Sequence, residues 1–248
     1  MKLYFNGCSF TYGDELKNPT TNAWPALLSD YYGYSFVNDA VSGGTNDRMV
    51  HNTMLNINNY DKFYIAWTSY TRFTRYYYAN SSEVNFNPSM NFNFSALLDS
   101  QLLKYNKSHY TKYAKLHYKY WNNEFYNIKT FLQQIILLQS FLTSHNKEFT
   151  MVNTFNNNLS IWLSPKDKFI TALRPLITAF DGYSDEQLLE EYDNIQLLVN
   201  LIDTTKFIEW NKWHIASIVS TPNIPCGPNG HFLDEGHRIV MERIISHD

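Results

Sequence analysis

The chain has 248 residues, a formal net charge of -3, 44% hydrophobic and 17% aromatic residues, and only 17% charged residues. It is long enough to bury a sizeable core and too rich in aromatics to stay disordered. Its acidic balance argues against binding nucleic acid by neutralising phosphates, and no apolar run approaches the roughly 20 residues of a membrane span.

In chain order, Lys2 to Asn6 reads as a short strand that ends in Gly7-Cys8-Ser9. Helical spacing of apolar residues follows from Ala23 to Tyr32. Tyr34 to Val37 is a second strand, Asp47 to Ile57 a second helix, and Lys62 to Trp67 a third strand ending at Thr68-Ser69. Phe125 to Ser144 predicts a long helix with an apolar face, and Phe149 to Asn153 a fourth strand. A further helix runs from Asp185 to Ile202, opened by Ser184 with Gln187 three residues on, a capping-box pattern. The last helix spans Glu235 to Ser246. Strands alternating with helices predict an α/β fold, a parallel sheet covered by helices on both faces.

Two stretches exceed that minimal plan. Residues 70–124 are dense in Tyr, Asn and Phe, and residues 164–225 carry Trp210 and Trp213. Neither shows a repeat or a linker, so residues 1–248 are read as one domain with two insertions. The 19 Tyr, 17 Phe and abundant Asn are residues that AT-rich codons favour, which fits a low-GC source such as a phage or small-genome microbe. Cys8 and Cys226 lie far apart and make neither a disulfide framework nor a zinc pattern. The N-terminal apolar stretch is broken at once by Asn6 and Gly7, unlike a secretory signal. The expected location is the cytoplasm, or the virion for a phage protein.

Ligands of open parallel sheets bind beyond the carboxyl ends of the strands, and three segments place chemistry there. The first is Gly7-Cys8-Ser9-Phe10-Thr11. A serine at such a turn can present its hydroxyl beside backbone N–H groups, as a nucleophile with an oxyanion hole needs. On its own, Ser9 reads more readily as a helix cap. The second runs from Asn38 through Gly43-Gly44-Thr45-Asn46-Asp47, where paired glycines allow close backbone approach to a ligand or form a plain tight turn. The third is His231-Phe232-Leu233-Asp234-Glu235-Gly236-His237, leading into the last helix. A histidine there can meet a serine from the first strand, because such pairs are defined by geometry and not by chain order.

Taken together, these segments resemble the SGNH hydrolase superfamily of GDSL-type esterases and lipases. The first block matches at Gly7 to Thr11, with Cys8 where Asp is usual. The second matches at Asn38 to Gly43, and the last at His231 through Ile244. The resemblance implies a three-layer α/β/α sandwich with a flavodoxin-like sheet. It assigns Ser9 as nucleophile and His231 as general base, with His237 the rival base because Asp234-x-x-His237 also spells the family's Asp-x-x-His. Oxyanion donors would come from Ser9, Gly43, Gly44 and Asn46. Trp67, Thr68, Ser69 and Arg72, after the third strand, are candidate substrate-binding residues.

Two departures from the family pattern stand out. The position three residues before His231, where an Asp is usual, holds Pro228, with Asn229 beside it. The third block, normally Gly-x-Asn-Asp, reads Trp67-Thr68-Ser69, so a hydroxyl, Arg72 or Asn46 would have to replace the oxyanion-hole Asn.

The other residues have plainer readings. Cys8 beside a strand is a small packing residue. The remaining histidines show no metal-ligand spacing, so no metal and no cofactor are expected. The Lys/Tyr interleaving from Lys104 to Lys119 reads as a solvated helix face, and the aromatic insertion either packs on the body or stacks on sugar. The partner expected is a small-molecule or glycan ester, with no nucleic acid and no membrane; the sequence does not fix the oligomeric state. The function expected is a serine esterase acting on a small acyl ester, such as an O-acetyl group on a glycan. The alternatives are a weak or inactive binding protein on the same fold, or an acyltransferase.

Overall fold

The structure, a computed structural model, describes residues 1–77, 82–86, 123–173 and 183–248. Most of the aromatic stretch at 70–124, including Lys104 to Lys119, lies outside them, and so do the readings placed there.

Four strands form a parallel sheet: β1 (Lys2–Asn6), β2 (Ser35–Asn38), β3 (Lys62–Trp67) and β6 (Glu148–Asn153), in the order β2-β1-β3-β6. A separate antiparallel hairpin joins β4 (Phe73–Tyr77) to β5 (Ser82–Phe86). Beyond β6, Met151 makes an isolated parallel bridge to Phe207, and Ile208 N donates to Met151 O at 2.9 Å. The sheet is thus extended by a single bridge where a further strand could pair.

Side chains alternate across a strand with period two, and this sorts the core into two layers. Tyr4, Phe63, Ile65, Trp67, Phe149 and Met151 point to one face. There they meet α4 (Asn46–Leu55) through Met49 and Val50, α5 (Glu124–Ser144) through Ile128, Phe131, Leu132 and Ile135, and α8 (Asp185–Val199) through Leu188 and Ile195. Leu3, Phe5, Tyr64, Ala66 and Val152 point to the other face. They meet α3 (Trp24–Tyr32) through Trp24 and Leu28, and α9 (Asp234–Ile245) through Val240 and Ile244. The result is the three-layer α/β/α architecture.

Buried apolar residues occur on strands that read as continuous hydrophobic runs, as strands covered on both faces must. Phe5 stacks on Tyr64 at 5.0 Å between ring centroids and meets Trp24 edge-on at 5.3 Å. Each such side chain contributes about 1.5–3 kcal/mol by leaving water.

Residues 164–225 do more than decorate the sheet. Phe169 and Leu173 of α7 (Lys166–Leu173), with Leu188, Ile195, Phe207 and Trp210, lie in the core layer that includes Trp67. Several short elements among the described residues escape the periodicity reading, including α1 (Ser9–Tyr12), α2 (Pro19–Asn22), α6 (Leu159–Trp162) and the 3-10 turn Ile215–Ser220. Each is too short to develop a repeating apolar face.

Candidate active site

The site begins with what holds the first turn. The buried Asn6 side chain accepts the Gly7 N–H at 2.9 Å and donates to Tyr4 Oη at 2.9 Å. Tyr4 in turn donates to Asp39 at 2.7 Å, and Asp39 also accepts from Asn52 at 3.0 Å and from Arg48 at 3.1 Å. Burial first, and then the hydrogen bond to the Asp39 carboxylate, pushes the Tyr4 hydroxyl well above its ordinary value, so it stays a neutral donor. Asn38 Nδ2 donates to Thr11 O at 2.9 Å, tying α1 to the end of β2. A Cβ on Gly7 would lie 2.3 Å from Thr11 Oγ1, so only glycine lets α1 fold back this closely.

On this support Ser9 is the first residue of α1 and is 6% exposed. The helix is capped by Cys8, whose carbonyl accepts from Thr11 and Tyr12 at 2.9 Å, and no side chain caps it. Ser9 therefore does not do the capping work that its residue type suggested. Cys8 is buried and free, and Cys226 is exposed and free.

The Gly43-Gly44 loop meets this turn directly. A Cβ on Gly44 would lie 2.5 Å from Gly7 O and 3.4 Å from Cys8 Cα, a backbone-to-backbone approach open only to glycine. Gly43 takes φ +71°, in the left-handed region, with open space beside it. Ser42 Oγ donates to Asp14 Oδ2 at 2.5 Å and fastens the loop to the residues after α1. Among the described residues, the N–H groups of Ser9 and Gly43 are donated to no protein acceptor.

The same geometry removes two sequence expectations. The Gly44 N–H is engaged by Val41 O at 2.9 Å. The Asn46 amide is engaged at both ends: Oδ1 accepts Thr68 N at 3.0 Å, and Nδ2 donates to Thr68 O and Ser69 O at 3.3 and 3.4 Å. Asn46 clamps the end of β3 to the start of α4 and is not poised for an oxyanion.

The residues after β3 divide in the same way. Trp67 is fully buried and packs edge-on against Phe131, and Thr68 is fully buried, so neither can touch a substrate. Strand alternation turns Trp67 into the helix-covered face. Ser69 is partly exposed and shares a hydrogen bond with Thr71 at 2.8 Å. Arg72 is also partly exposed; it donates to Gly44 O at 3.3 Å and lies 5.0 Å over the ring of Phe155, which packs edge-on against Phe10.

His231 reaches this group from the other end of the chain. Its ring packs on Phe10, the neighbour of Ser9, with centroids 4.8 Å apart. Its Nδ1 is 3.0 Å from Glu15 Oε2. The histidine and glutamate side chains are 17% and 10% exposed. Glu15 follows directly from α1: Gly13 N and Asp14 N both donate to Ser9 O, and Gly13 ends the helix at φ +93°.

The Glu15 carboxylate also accepts Asn229 N at 2.8 Å, Asn229 Nδ2 at 3.2 Å and His231 N at 3.0 Å. Burial opposes its charge, but the two backbone donors and the imidazole prevail and hold it below the ordinary carboxylate value. Sequence reasoning missed Glu15. Nothing in the spacing Gly13-Asp14-Glu15 marks it, because its partner lies 216 residues away.

His237 is placed differently. It is buried, its Nδ1 accepts Trp24 N at 3.1 Å, and its ring meets Phe232 edge-on at 4.7 Å. Burial lowers its pKa to about 3. It is a neutral strut between α3 and α9, and Gly236 beside it leaves room for Phe232, which a Cβ would approach to 2.4 Å.

Among the described residues, no group of three or more His, Cys, Asp or Glu side chains could hold a metal ion, and no helix is long and apolar enough to cross a membrane.

Fold and site together define an α/β/α protein in which the segment after the first strand, carrying Ser9, Phe10 and Glu15, meets His231 from the start of the last helix. Residues 14–166 match a family of unknown function, DUF6071, and the chain belongs to that family. The matched span contains Glu15 and leaves Ser9 and His231 outside it.

Among curated proteins none matches the chain. Among solved structures it is similar to a protein assigned to the G-D-S-L lipolytic family from Desulfitobacterium hafniense DCB-2, at 12% identity and TM-score 0.44, over 100% of this chain and 99% of that one. It is also similar to the psychrotrophic esterase EstA from Pseudoalteromonas sp., at 8% identity and TM-score 0.46, over 99% and 95%. A third is the acetylxylan esterase Axe2 from Geobacillus stearothermophilus, at 12% identity and TM-score 0.39, over 99% and 93%. Likenesses this distant carry no argument about what the chain does.

Proposed function

We propose that the protein is a serine esterase of SGNH type. The observation that carries this reading is the meeting of three segments distant in sequence: the Ser9 turn, the Gly43-Gly44 loop packed on it, and His231 packed at a tilt on Phe10. Ser9 Oγ attacks the carbonyl carbon of an ester while His231 Nε2 takes its proton. The N–H groups of Ser9 and Gly43 hold the oxyanion. Collapse of the tetrahedral intermediate breaks the bond to the alcohol, which leaves with the proton from His231. Water then attacks the acyl-enzyme with His231 again as base, releasing the carboxylic acid and restoring Ser9.

The substrate class proposed is a small acyl ester, an O-acetyl group on a glycan being one example. The surroundings of Ser9 favour a short acyl group, because Phe10 and Phe155 close on each other with centroids 5.7 Å apart. Arg72, over Phe155 and beside Gly44, and Ser69 border the same end and are the groups proposed to meet the substrate.

Hydrolysis of a short-chain aryl ester tests this reading. Activity should be present in the wild type, fall by several orders of magnitude in Ser9→Ala and His231→Ala, and keep a measurable rate in any folded His237→Asn variant. Activity that survives Ser9→Ala would remove the reading.

A further inference from the structure

The strand-turn serine and its histidine lack an acid where the SGNH pattern places one, since Pro228 stands there. We propose that Glu15 supplies it as a positioning residue, so that the histidine is oriented by a carboxylate from the nucleophile's own loop and not from the turn before His231. The inference rests on the serine esterase reading and deepens it.

Three independent features of the structure converge on this carboxylate. First, Glu15 Oε2 lies 3.0 Å from His231 Nδ1. That contact fixes the tautomer with the proton on Nδ1 and leaves Nε2 to accept one from Ser9, the role of the acid in a serine triad. Second, the turn before His231 is folded around the carboxylate. Gly227 N donates to His231 O at 2.8 Å, Gly230 N to Gly227 O at 3.0 Å, and Gly230 takes φ +82°. This turn aims the N–H groups of Asn229 and His231 at the two carboxylate oxygens. A Cβ on Gly227 would lie 2.5 Å from Glu15 Cδ, so the turn is hollow where the carboxylate sits. Third, Glu15 itself takes φ +70°, a left-handed conformation that is uncommon for a non-glycine residue. Such strain persists only where the surroundings over-determine it and is found most often at working sites.

Among the described residues, the titratable groups that face His231 are Glu15 and, from α9, the buried neutral His237. A carboxylate at this distance favours the imidazolium that forms during attack.

The test is the rate of Ser9 phosphonylation by a fluorophosphonate against pH, with the imidazole proton resonances read by NMR. In Glu15→Gln the amide presents the wrong partner to Nδ1. The labelling rate should fall at least about 100-fold and up to about 10⁴-fold, the loss that a wrong tautomer causes in a serine protease. The acid limb of the profile should move to lower pH, and the downfield Nδ1 proton resonance of the wild type should vanish. A merely structural carboxylate would move neither the limb nor the resonance. If Glu15→Gln does not fold, Gly227→Ala, which drives a Cβ into the carboxylate, should slow labelling in the same direction.

A folded Glu15→Gln with wild-type rate, limb and resonance overturns this role and leaves the esterase reading standing; so does unchanged labelling of Gly227→Ala where that variant is the one measured. A wild type that takes no probe overturns the esterase reading, and this role with it.

Discussion

Two histidines close to the same helix start have opposite fates, and their surroundings decide which is which. His231 has a carboxylate on Nδ1 and a partly exposed ring. His237 has a backbone N–H on Nδ1 and no exposure. Residue types alone leave both in play.

The buried neutral histidine has a measurable consequence. The unfolded chain protonates His237 near 6.5, whereas the folded chain does so only near 3. Between those values the unfolded state binds more protons, so stability falls as pH drops, by at most about 1.4 kcal/mol per pH unit from this group. Urea melts at pH 6.5 and 5, above the range where the carboxylates titrate, should show that slope in the wild type. The slope should be smaller in His237→Asn, whose Oδ1 can still accept Trp24 N. Equal slopes would refute the assignment.

At the scale of elements, the paired glycines answer to different constraints. Gly44 is packed against backbone: its Cβ would meet Gly7 O at 2.5 Å and Val41 O at 3.0 Å, and neither can yield cheaply. Gly44→Ala should therefore part the second loop from the Ser9 turn, costing about 1–3 kcal/mol of stability by overpacking and most of the proposed esterase activity. Gly43 has φ +71° with nothing near it, so Gly43→Ala meets only the backbone penalty, roughly 1 kcal/mol. Chemical denaturation of both variants, with activity measured alongside, checks the contrast.

The cap of α8 is plainer. Ser184 accepts Gln187 N at 3.2 Å, and Gln187 Oε1 accepts Ser184 N at 2.9 Å. Ser184→Ala should cost about 0.5–2 kcal/mol in the same melts. This capping box was readable in the sequence because both partners sit three residues apart. The plain reading of Ser9 as a cap fails because Cys8 takes the cap position and no side chain caps α1. The amide of Asn46 looked free for an oxyanion because its partners, Thr68 and Ser69, lie on another strand end.

At the scale of the whole molecule, the inner strands were legible because strands buried on both faces write themselves as unbroken apolar runs. Lys62–Trp67 is found at the residues expected, and Ser35–Asn38 is shifted by one. The layering follows from the alternation of Tyr4 with Leu3 and Phe5. What stayed illegible was the use of residues 164–225, whose Phe169, Leu188 and Trp210 complete a core layer that no local pattern could announce. The position of Glu15 opposite His231 was hidden in the same way, because only the tertiary fold brings residues 216 apart into contact.

Phe5 sits at the middle of the sheet, fully buried between Tyr64 and Trp24. Phe5→Ala should cost about 3–5 kcal/mol.

Esterase chemistry of the proposed kind requires this fold to present Ser9 as an activated nucleophile. Mass spectrometry of the intact protein and its peptides after exposure to a fluorophosphonate tests it most directly. A single phosphonyl adduct is expected on the peptide carrying Ser9, formed by the wild type and absent from Ser9→Ala. A wild type that stays unmodified, or an adduct on another residue that persists in Ser9→Ala, would contradict it.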